Sequence, residues 1–382
     1  MPNFDPVFYR DFKLGILGGG QLGRMLVQAC VNYDVETAVL DYDPQGPCRY
    51  SPNFAKGDYH KYEDVMAFGQ GCDLLTIEIE HVNVQALEVL AAQGKTIYPQ
   101  PHIIRMVQDK GLQKQFYAEH GIPTAPYRLV ESKDQLLAEA EYPLVQKMRT
   151  GGYDGQGVRV LNSYEEAAEC AFAVPAVLEE RIPIKEEISV IVVRNPQGEI
   201  QSYPPVGMVF HPQANLVEYL ISPAPLPGKV AEQADQIARQ IAEKLEIVGL
   251  LAVEMFWTTD GRLLVNEIAP RPHNSGHHTI EANMTSQFEQ HLRAILGLPL
   301  GSTRHYGPAA MLNLLGAEGH SGKPVYNGLE DVLKMTGVKL HLYGKKETRP
   351  FRKMGHITLI ADSWEEILEK ARYIQQNLTV TT

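Results

Sequence analysis

Residues 249–270 read GLLAVEMFWTTDGRLLVNEIAP. Two apolar runs flank Thr258-Thr259-Asp260-Gly261, and an Asp-Gly pair between strand-like segments predicts a β-hairpin with a two-residue turn. With Asp260 and Gly261 as the turn, Thr259 faces Arg262, and counting back along both strands sets Glu254 opposite Glu267. Directly opposed side chains have Cβ atoms about 4.5–5.5 Å apart, where like charges repel. A divalent cation reverses the sign, because hard cations such as Mg²⁺ take carboxylate oxygens and then hold substrate phosphates. Two solvated glutamates on an exposed face are the plain alternative. Arg271, His273, Asn274 and Ser275 follow within eight positions of Glu267, and that density favours an active-site edge.

Upstream, Lys13–Gly18 (KLGILG) reads as a buried strand that enters a glycine turn, with helical spacing over Arg24–Val31. Gly18, Gly20 and Gly23 match GxGxxG, and Thr37–Asp41 is a second strand ending in an acid. This is the dinucleotide fingerprint, whose physics is anion capture by backbone N–H groups at a helix N-terminus. A phosphate-bearing ligand other than a nicotinamide or flavin is the favoured occupant, and a purely structural turn is the plain reading. Asp73–Glu80 (DLLTIEIE) places Glu78 and Glu80 at a strand's carboxyl end, where open α/β sheets bind ligands. Val84–Ala92 reads as a helix and Thr96–Tyr98 as a strand, and Pro99 and Pro101 mark the end of a first domain. From Ile103 to His120 the spacing predicts one helix with Asp109 and Lys110 in its middle.

Pro143–Met148 is a strand carrying Lys147, and Val158–Leu161 is another. Between them RTGGYDGQG (149–157) supplies four glycines in seven residues, a hairpin tip able to lay N–H groups on a ligand. A strand follows in place of a helix and no Lys-Ser/Thr pair is present, so this is no P-loop. Further on come helix Ser163–Ala171, strand Ala176–Ile182 with its acidic exit at Glu179-Glu180, and a strand opening at Glu187. Pro204–His211 carries His211, and Gly228–Glu246 is an amphipathic helix. A zinc site at His273, His277 and His278 is disfavoured, since Gly276 breaks any helix that would align them. Loop 344–353 holds five basic residues between strands Lys339–Tyr343 and His356–Ala361; in so acidic a chain it suggests an anion site.

The 382 residues carry 35 Lys and Arg against 46 Asp and Glu, a formal charge of −11 that argues against a nucleic-acid partner. Cys30, Cys48, Cys72 and Cys170 are scattered without metal-ligand spacing and read as free thiols in a reducing compartment. No apolar run reaches the roughly 18 residues of a membrane helix, and the start has no secretory core. These features point to a cytoplasmic enzyme.

A glycine-rich hairpin, a strand lysine before it, a strand-exit acid and a later Glu/Glu pair together resemble the ATP-grasp superfamily. GGGQLGRM (18–25), GGYDGQG (151–157), NEIAPRPHNSGHHT (266–279) and YGKKETRPFRKMGHIT (343–358) narrow the resemblance to the N5-carboxyaminoimidazole ribonucleotide synthetases, from about Leu14 to the end. Gln156, and the segment after His211, depart from the family's usual pattern. The resemblance implies an α/β (α+β) chain with a Rossmann-like domain at 1–102. An ATP-grasp domain would follow at 103–300, divided near 185/186, with a small β-rich domain at 301–382. It implies that ATP and bicarbonate form carboxyphosphate, whose carboxyl group passes to the amine of aminoimidazole ribonucleotide, in a homodimer. Glu254 and Glu267 would bind Mg²⁺ or Mn²⁺, with Asn266 beside them. Arg105 and Lys147 would neutralise the ATP phosphates, under a lid of Gly152, Tyr153, Asp154, Gly155, Gln156, Gly157 and Val158. Glu179, Glu180, Arg181, Ile182 and Glu187 would hold adenine and ribose, with His211 nearby. Gly20, Gln21, Leu22, Glu80, Ser275, Lys345 and Arg352 would bind the ribonucleotide. Arg271, His273 and Asn274 would hold bicarbonate, and Asp154 with Tyr153 would act on the amine. Alternatives are a relative activating formate or another acid, an NAD(P)-dependent dehydrogenase, and a silent nucleotide-binding protein.

Overall fold

Strand Lys13–Leu17 lies at the centre of a parallel sheet and buries Leu14, Ile16 and Leu17 completely, as a strand covered on both faces must. The sheet order is Asn53–Lys56, Glu36–Asp41, Lys13–Leu17, Leu74–Ile77, Thr96–Ile97, every pair parallel. This computed structural model describes residues 11–152, 157–210 and 217–382. Tyr153, Asp154, Gly155, Gln156 and His211, all expected at the site, lie outside the described residues.

The single helix expected from Ile103 to His120 is two, Pro101–Gln108 and Lys110–Glu119. Asp109 divides them. Its backbone is extended (φ −121°, ψ 107°), and its carboxylate accepts from the Gly111 and Leu112 N–H groups that open the second helix. An Asp that caps a helix competes with the backbone in this way, and apolar periodicity does not register it. The Arg149 guanidinium grips the same carboxylate at 3.0 and 2.7 Å, tying the foot of the glycine-rich hairpin to the break. That hairpin belongs to a four-stranded antiparallel sheet ordered Tyr127–Val130, Ala176–Glu180, Leu144–Met148, Val158–Leu161.

The largest sheet has nine strands. Its main path is Leu263–Ala269, Gly249–Thr258, Ile184–Arg194, Val206–Phe210, Val217–Ser222, Ala309–Leu315, Lys353–Ile360, Val338–Leu342, with Ile200–Ser202 paired beside Ile184–Arg194. The sheet crosses residue 300 without interruption, since Leu220 pairs with Met311. Helix Gly228–Leu245 lays Ala234, Ile237, Ala238 and Ile241 on Val190, Val192 and Val253 of this sheet. His291, on helix Gln287–Ile295, joins it to the first sheet. Its Nδ1 accepts the Leu250 N–H at 3.1 Å, so Nε2 carries the hydrogen and donates to Thr76 Oγ1 at 2.9 Å.

The hairpin turn differs from expectation. Trp257 pairs with Leu263 and Met255 with Val265, leaving Thr259, Asp260 and Gly261 as a three-residue loop with Gly261 at φ +87°. A three-residue loop with a left-handed residue is the next commonest hairpin closure after the two-residue turns. Carried inward unchanged, that register would set Glu254 against Asn266. Asn266 is instead the extra residue of a bulge, and Glu254 faces Glu267 after all.

Candidate active site

The bulged hairpin sets the two opposed glutamates at the edge of the site. Burial, then Glu267 and Glu187, push the Glu254 carboxyl up to about 8. Lys110, at 2.6 Å, holds the Glu267 carboxyl below its usual range against the effect of burial. The two opposed carboxyls are therefore pushed in opposite directions, one raised by burial and its acidic neighbours and the other held low by an ammonium partner, a conflict that a divalent cation would relieve. The donor set fits such an ion. Lys110 was not singled out in the sequence, where it sits inside a helical pattern; Asp109 breaks the helix and starts the next one at Lys110. Arg105, expected to serve the ATP phosphates, is instead half-exposed and gripped by Glu88 at 2.7 and 2.6 Å. The cation beside the two glutamates is Lys110.

His273 brings Nε2 to 3.6 Å from Glu254 Oε1. Its Nδ1 lies 2.9 Å from Ser275 Oγ and accepts the Ser275 N–H at 3.4 Å, so the ring hydrogen sits on Nε2 and points at Glu254. Burial, then Arg271 and Lys353, hold its pKa down to about 3, so the imidazole is neutral. Gln287 fixes the segment by accepting the His273 N–H and donating to the His273 carbonyl. Ser275 also meets Ser189 at 2.8 Å. Asn274, foreseen as a bicarbonate ligand, exchanges two hydrogen bonds with the Asn313 amide at 2.9 and 3.0 Å. Its amide anchors the segment to the neighbouring strand. Glu80, foreseen beside the ribonucleotide, forms a two-pronged ion pair with Arg271; burial raises its carboxyl, but Arg271 wins and holds it at about 2. His277 and His278 are buried, and among the described residues no three His, Cys, Asp or Glu side chains are placed to hold a metal ion.

The glycine turn is already filled. Glu78 accepts the Gly20 N–H at 2.9 Å and the Gly23 N–H at 2.8 Å, and Asp41 accepts the Gly19 N–H at 2.6 Å. A Cβ on Gly20 would lie 2.5 Å from a Glu78 oxygen, so the glycine is there to admit a carboxylate. The anion site that a dinucleotide's pyrophosphate would use is occupied by the chain's own Glu78, which corrects the reading of Gly20 as a phosphate-binding N–H and removes the dehydrogenase. Gln21 and Leu22 open the helix just beyond it.

Lys147 donates to Asn266 Oδ1 at 2.7 Å and pairs with Glu179 at 2.8 Å, so the bulge residue and the strand lysine meet. Glu179, foreseen on adenine or ribose, is buried with both oxygens taken by lysines, the second being Lys114 at 2.8 Å. Its side chain supports Lys147. Glu180 N–H is bonded to the Pro126 carbonyl, Arg181 reaches Asn162, and Ile182 follows, at the exposed strand exit. Glu187 is pushed up to about 7, chiefly by burial. Gly152, Gly157 and Val158 flank the hairpin tip, where the Met148 N–H closes on the Gly157 carbonyl at 2.8 Å.

The basic loop closes against the first domain. Arg24 donates to the Tyr343 carbonyl at 3.1 Å and Arg49 to the Gly344 carbonyl at 2.6 Å, beside Lys345, whose ammonium bonds the Lys353 carbonyl at 2.7 Å. Arg352 donates to the Glu347 carbonyl. Arg24 and Arg49 were missed because their partners lie about three hundred residues away. The cluster stands one turn from the glycine loop, and Lys353 links it to His273 and Glu254, whose pKa values it lowers.

Three family models match the chain: the ribonucleotide synthetase preATP-grasp domain at residues 12–108, the ATP-grasp domain at 115–288, and the phosphoribosylaminoimidazole carboxylase C-terminal domain at 309–370. The N5-carboxyaminoimidazole ribonucleotide synthase of Bacillus subtilis is 38% identical, over 95% of this chain and 96% of its own length. The phosphoribosylaminoimidazole carboxylase of Saccharomyces cerevisiae is 39% identical over 94% of this chain, which spans 66% of that longer protein. The crystal structure of N5-carboxyaminoimidazole ribonucleotide synthetase from Thermotoga maritima superposes with a TM-score of 0.90 at 42% identity, covering 97% of this chain and 99% of that one. Filled glycine turn, bulged carboxylate hairpin and basic closing loop thus sit in a known ligase framework: the chain belongs to the N5-carboxyaminoimidazole ribonucleotide synthase family of ATP-grasp enzymes.

Proposed function

We propose that the protein carboxylates the exocyclic amine of aminoimidazole ribonucleotide with ATP and bicarbonate, as a step of purine synthesis. The observation that carries the reading is the meeting of the Glu254/Glu267 edge with Lys110, Lys147 and His273, joined through Lys353 to a separate basic cluster. One cluster suits a metal-bound triphosphate and the other a ribose 5-phosphate. Glu254 and Glu267 would hold Mg²⁺, with Mn²⁺ as the alternative ion, which supplies charge neutralisation for the transferring phosphoryl group. Lys110 and Lys147 orient the phosphates while a bicarbonate oxygen bonds to the γ-phosphorus and the bond to ADP breaks. Arg271, steadied by Glu80, and the Nε2–H of His273 hold the carboxyl oxygens. The substrate amine then bonds to the carboxyl carbon as phosphate departs, and Asp154, beside Tyr153, takes the proton. Exclusion of water, assigned from the sequence to the glycine-rich hairpin, matters because carboxyphosphate is short-lived in water. Glu180–Ile182 and Glu187 would line the adenosine side, a role the sequence also assigns to His211, outside the described residues. The reading extends to a cytoplasmic homodimer; among the described residues no helix is long and apolar enough to cross a membrane.

ADP release with Mg-ATP tests it. Strong stimulation by aminoimidazole ribonucleotide, lost when bicarbonate is withdrawn, is expected; turnover that ignores both, or needs formate, removes the substrate assignment. Lys345→Ala is expected to raise KM for the ribonucleotide about 10–100-fold with kcat nearly kept, since a charge-assisted phosphate contact is lost in binding. An unchanged KM would sink the phosphate role.

A further inference from the structure

Lys114 is 3% exposed, on the inner face of helix Lys110–Glu119, with no place in the chemistry above. Its ammonium lies 2.8 Å from one Glu179 oxygen while Lys147 lies 2.8 Å from the other. It also donates to Thr124 Oγ1, and Thr124 in turn donates to the Val265 carbonyl at 2.7 Å, one residue before the Asn266 bulge. The Pro123 carbonyl accepts the Val265 N–H at 2.7 Å, so this short strand contact runs directly into the Glu254/Glu267 edge. One buried carboxylate therefore serves two buried ammoniums, and only Lys147 has a further contact at the nucleotide side, the Asn266 amide. Burial lowers the Lys114 ammonium from its usual range, with Glu179 pulling against it.

With Lys147 as its only partner, Glu179 would be stranded in the interior whenever Lys147 turned to a phosphate, and an uncompensated buried charge is strongly destabilising. Lys114 removes that obstacle. We propose that Lys114 is a positioning residue for the nucleotide phosphates: it keeps Glu179 paired, so that Lys147 can leave the carboxylate and meet the triphosphate at the hairpin. The proposal rests on the assignment of Lys147 as a phosphate ligand. It makes the triad a source of one net positive charge, available at Lys147 alone.

Calorimetric titration of the full chain with ADP and with adenosine separates the possibilities. Lys114→Met is expected to weaken ADP about 10–100-fold and adenosine less than about threefold, because the lost ion contact concerns phosphate only. Adding Glu179→Gln removes the carboxylate that now captures Lys147, and should restore ADP affinity to within about threefold of the parent. A packing role predicts the reverse. Equal loss on ADP and adenosine, no loss at all, or a double variant worse than the single would overturn the proposal. If Lys114→Met is too unstable to titrate, the double variant decides: ADP binding near the parent's supports the proposal, and selective loss of ADP overturns it. Lys147→Met is the control for the underlying reading, and unchanged ADP affinity there would remove that reading itself.

Discussion

Glu267→Gln is expected to lower kcat for ADP release about 10³-fold or more while the chain stays folded, because one of the two carboxylates proposed to hold Mg²⁺ is gone. Glu254→Gln should be comparably inactive, yet the two variants part in the absence of metal. Burial and the neighbouring carboxylates push the Glu254 carboxyl up to about 8, so a neutral glutamine removes a charge that its surroundings oppose and the melting temperature should hold or rise. Glu267 is charged and paired with Lys110, so its amide leaves that ammonium without its counter-charge and the melting temperature should fall by a few degrees. Activity assays over a Mg²⁺ series with parallel calorimetry check both statements. Near-normal turnover in Glu267→Gln, or identical melting of the two variants, would remove the division of roles along the hairpin.

Mild acid should unfold the protein. Burial holds His273 and His291 to about 3 and His278 to about 4, and drives His277 and His356 well below their ordinary value. In the unfolded chain each titrates near 6.5, at about that pH. A histidine whose folded pKa is depressed contributes stability that is fully present above the unfolded value and is lost as pH falls below it. The raised carboxyls of Glu187, about 7, and Glu254, about 8, act oppositely, since the folded state keeps their protons where the unfolded chain gives them up. Asp41 and Glu78, raised by burial, oppose at the acid end of the window. With five histidines against two strongly raised carboxyls, unfolding at about pH 5.5 takes up about three protons, a slope of roughly 4 kcal/mol per pH unit there. Denaturant titrations at successive pH values should show stability falling steeply below about pH 6.5. A profile level from pH 7 to 5 would contradict the neutral buried imidazoles.

The Glu254–Glu267 pairing was legible in the sequence although the turn was not. The two-residue turn and the three-residue loop with a bulge at Asn266 bring the same two residues together, and alternation alone cannot tell them apart. The glycine turn was legible as a strand-to-helix junction, but its occupant was not, because Glu78, just past the end of strand Leu74–Ile77, is 58 positions from Gly20. Lys110 and Lys114 resembled ordinary helix charges. What gives them partners is the cap at Asp109 and the packing of that helix on Glu179, both outside the reach of periodicity. The basic loop was visible as a run of charge, whereas Arg24 and Arg49 became part of it only in three dimensions.

The uninterrupted nine-stranded sheet has a consequence for trimming the molecule. Val217–Ser222 hydrogen-bonds Val206–Phe210 on one side and Ala309–Leu315 on the other, and its Tyr219 and Ile221 pack into the core formed by the last seventy residues. A chain cut at residue 300, where a family-based boundary invites the scissors, would leave that strand with an open row of amides and an uncovered apolar flank. Such an edge recruits any other strand it meets. The closing segment therefore covers the edge and the apolar flank of the ATP-grasp half, and a shortened chain should keep the two together.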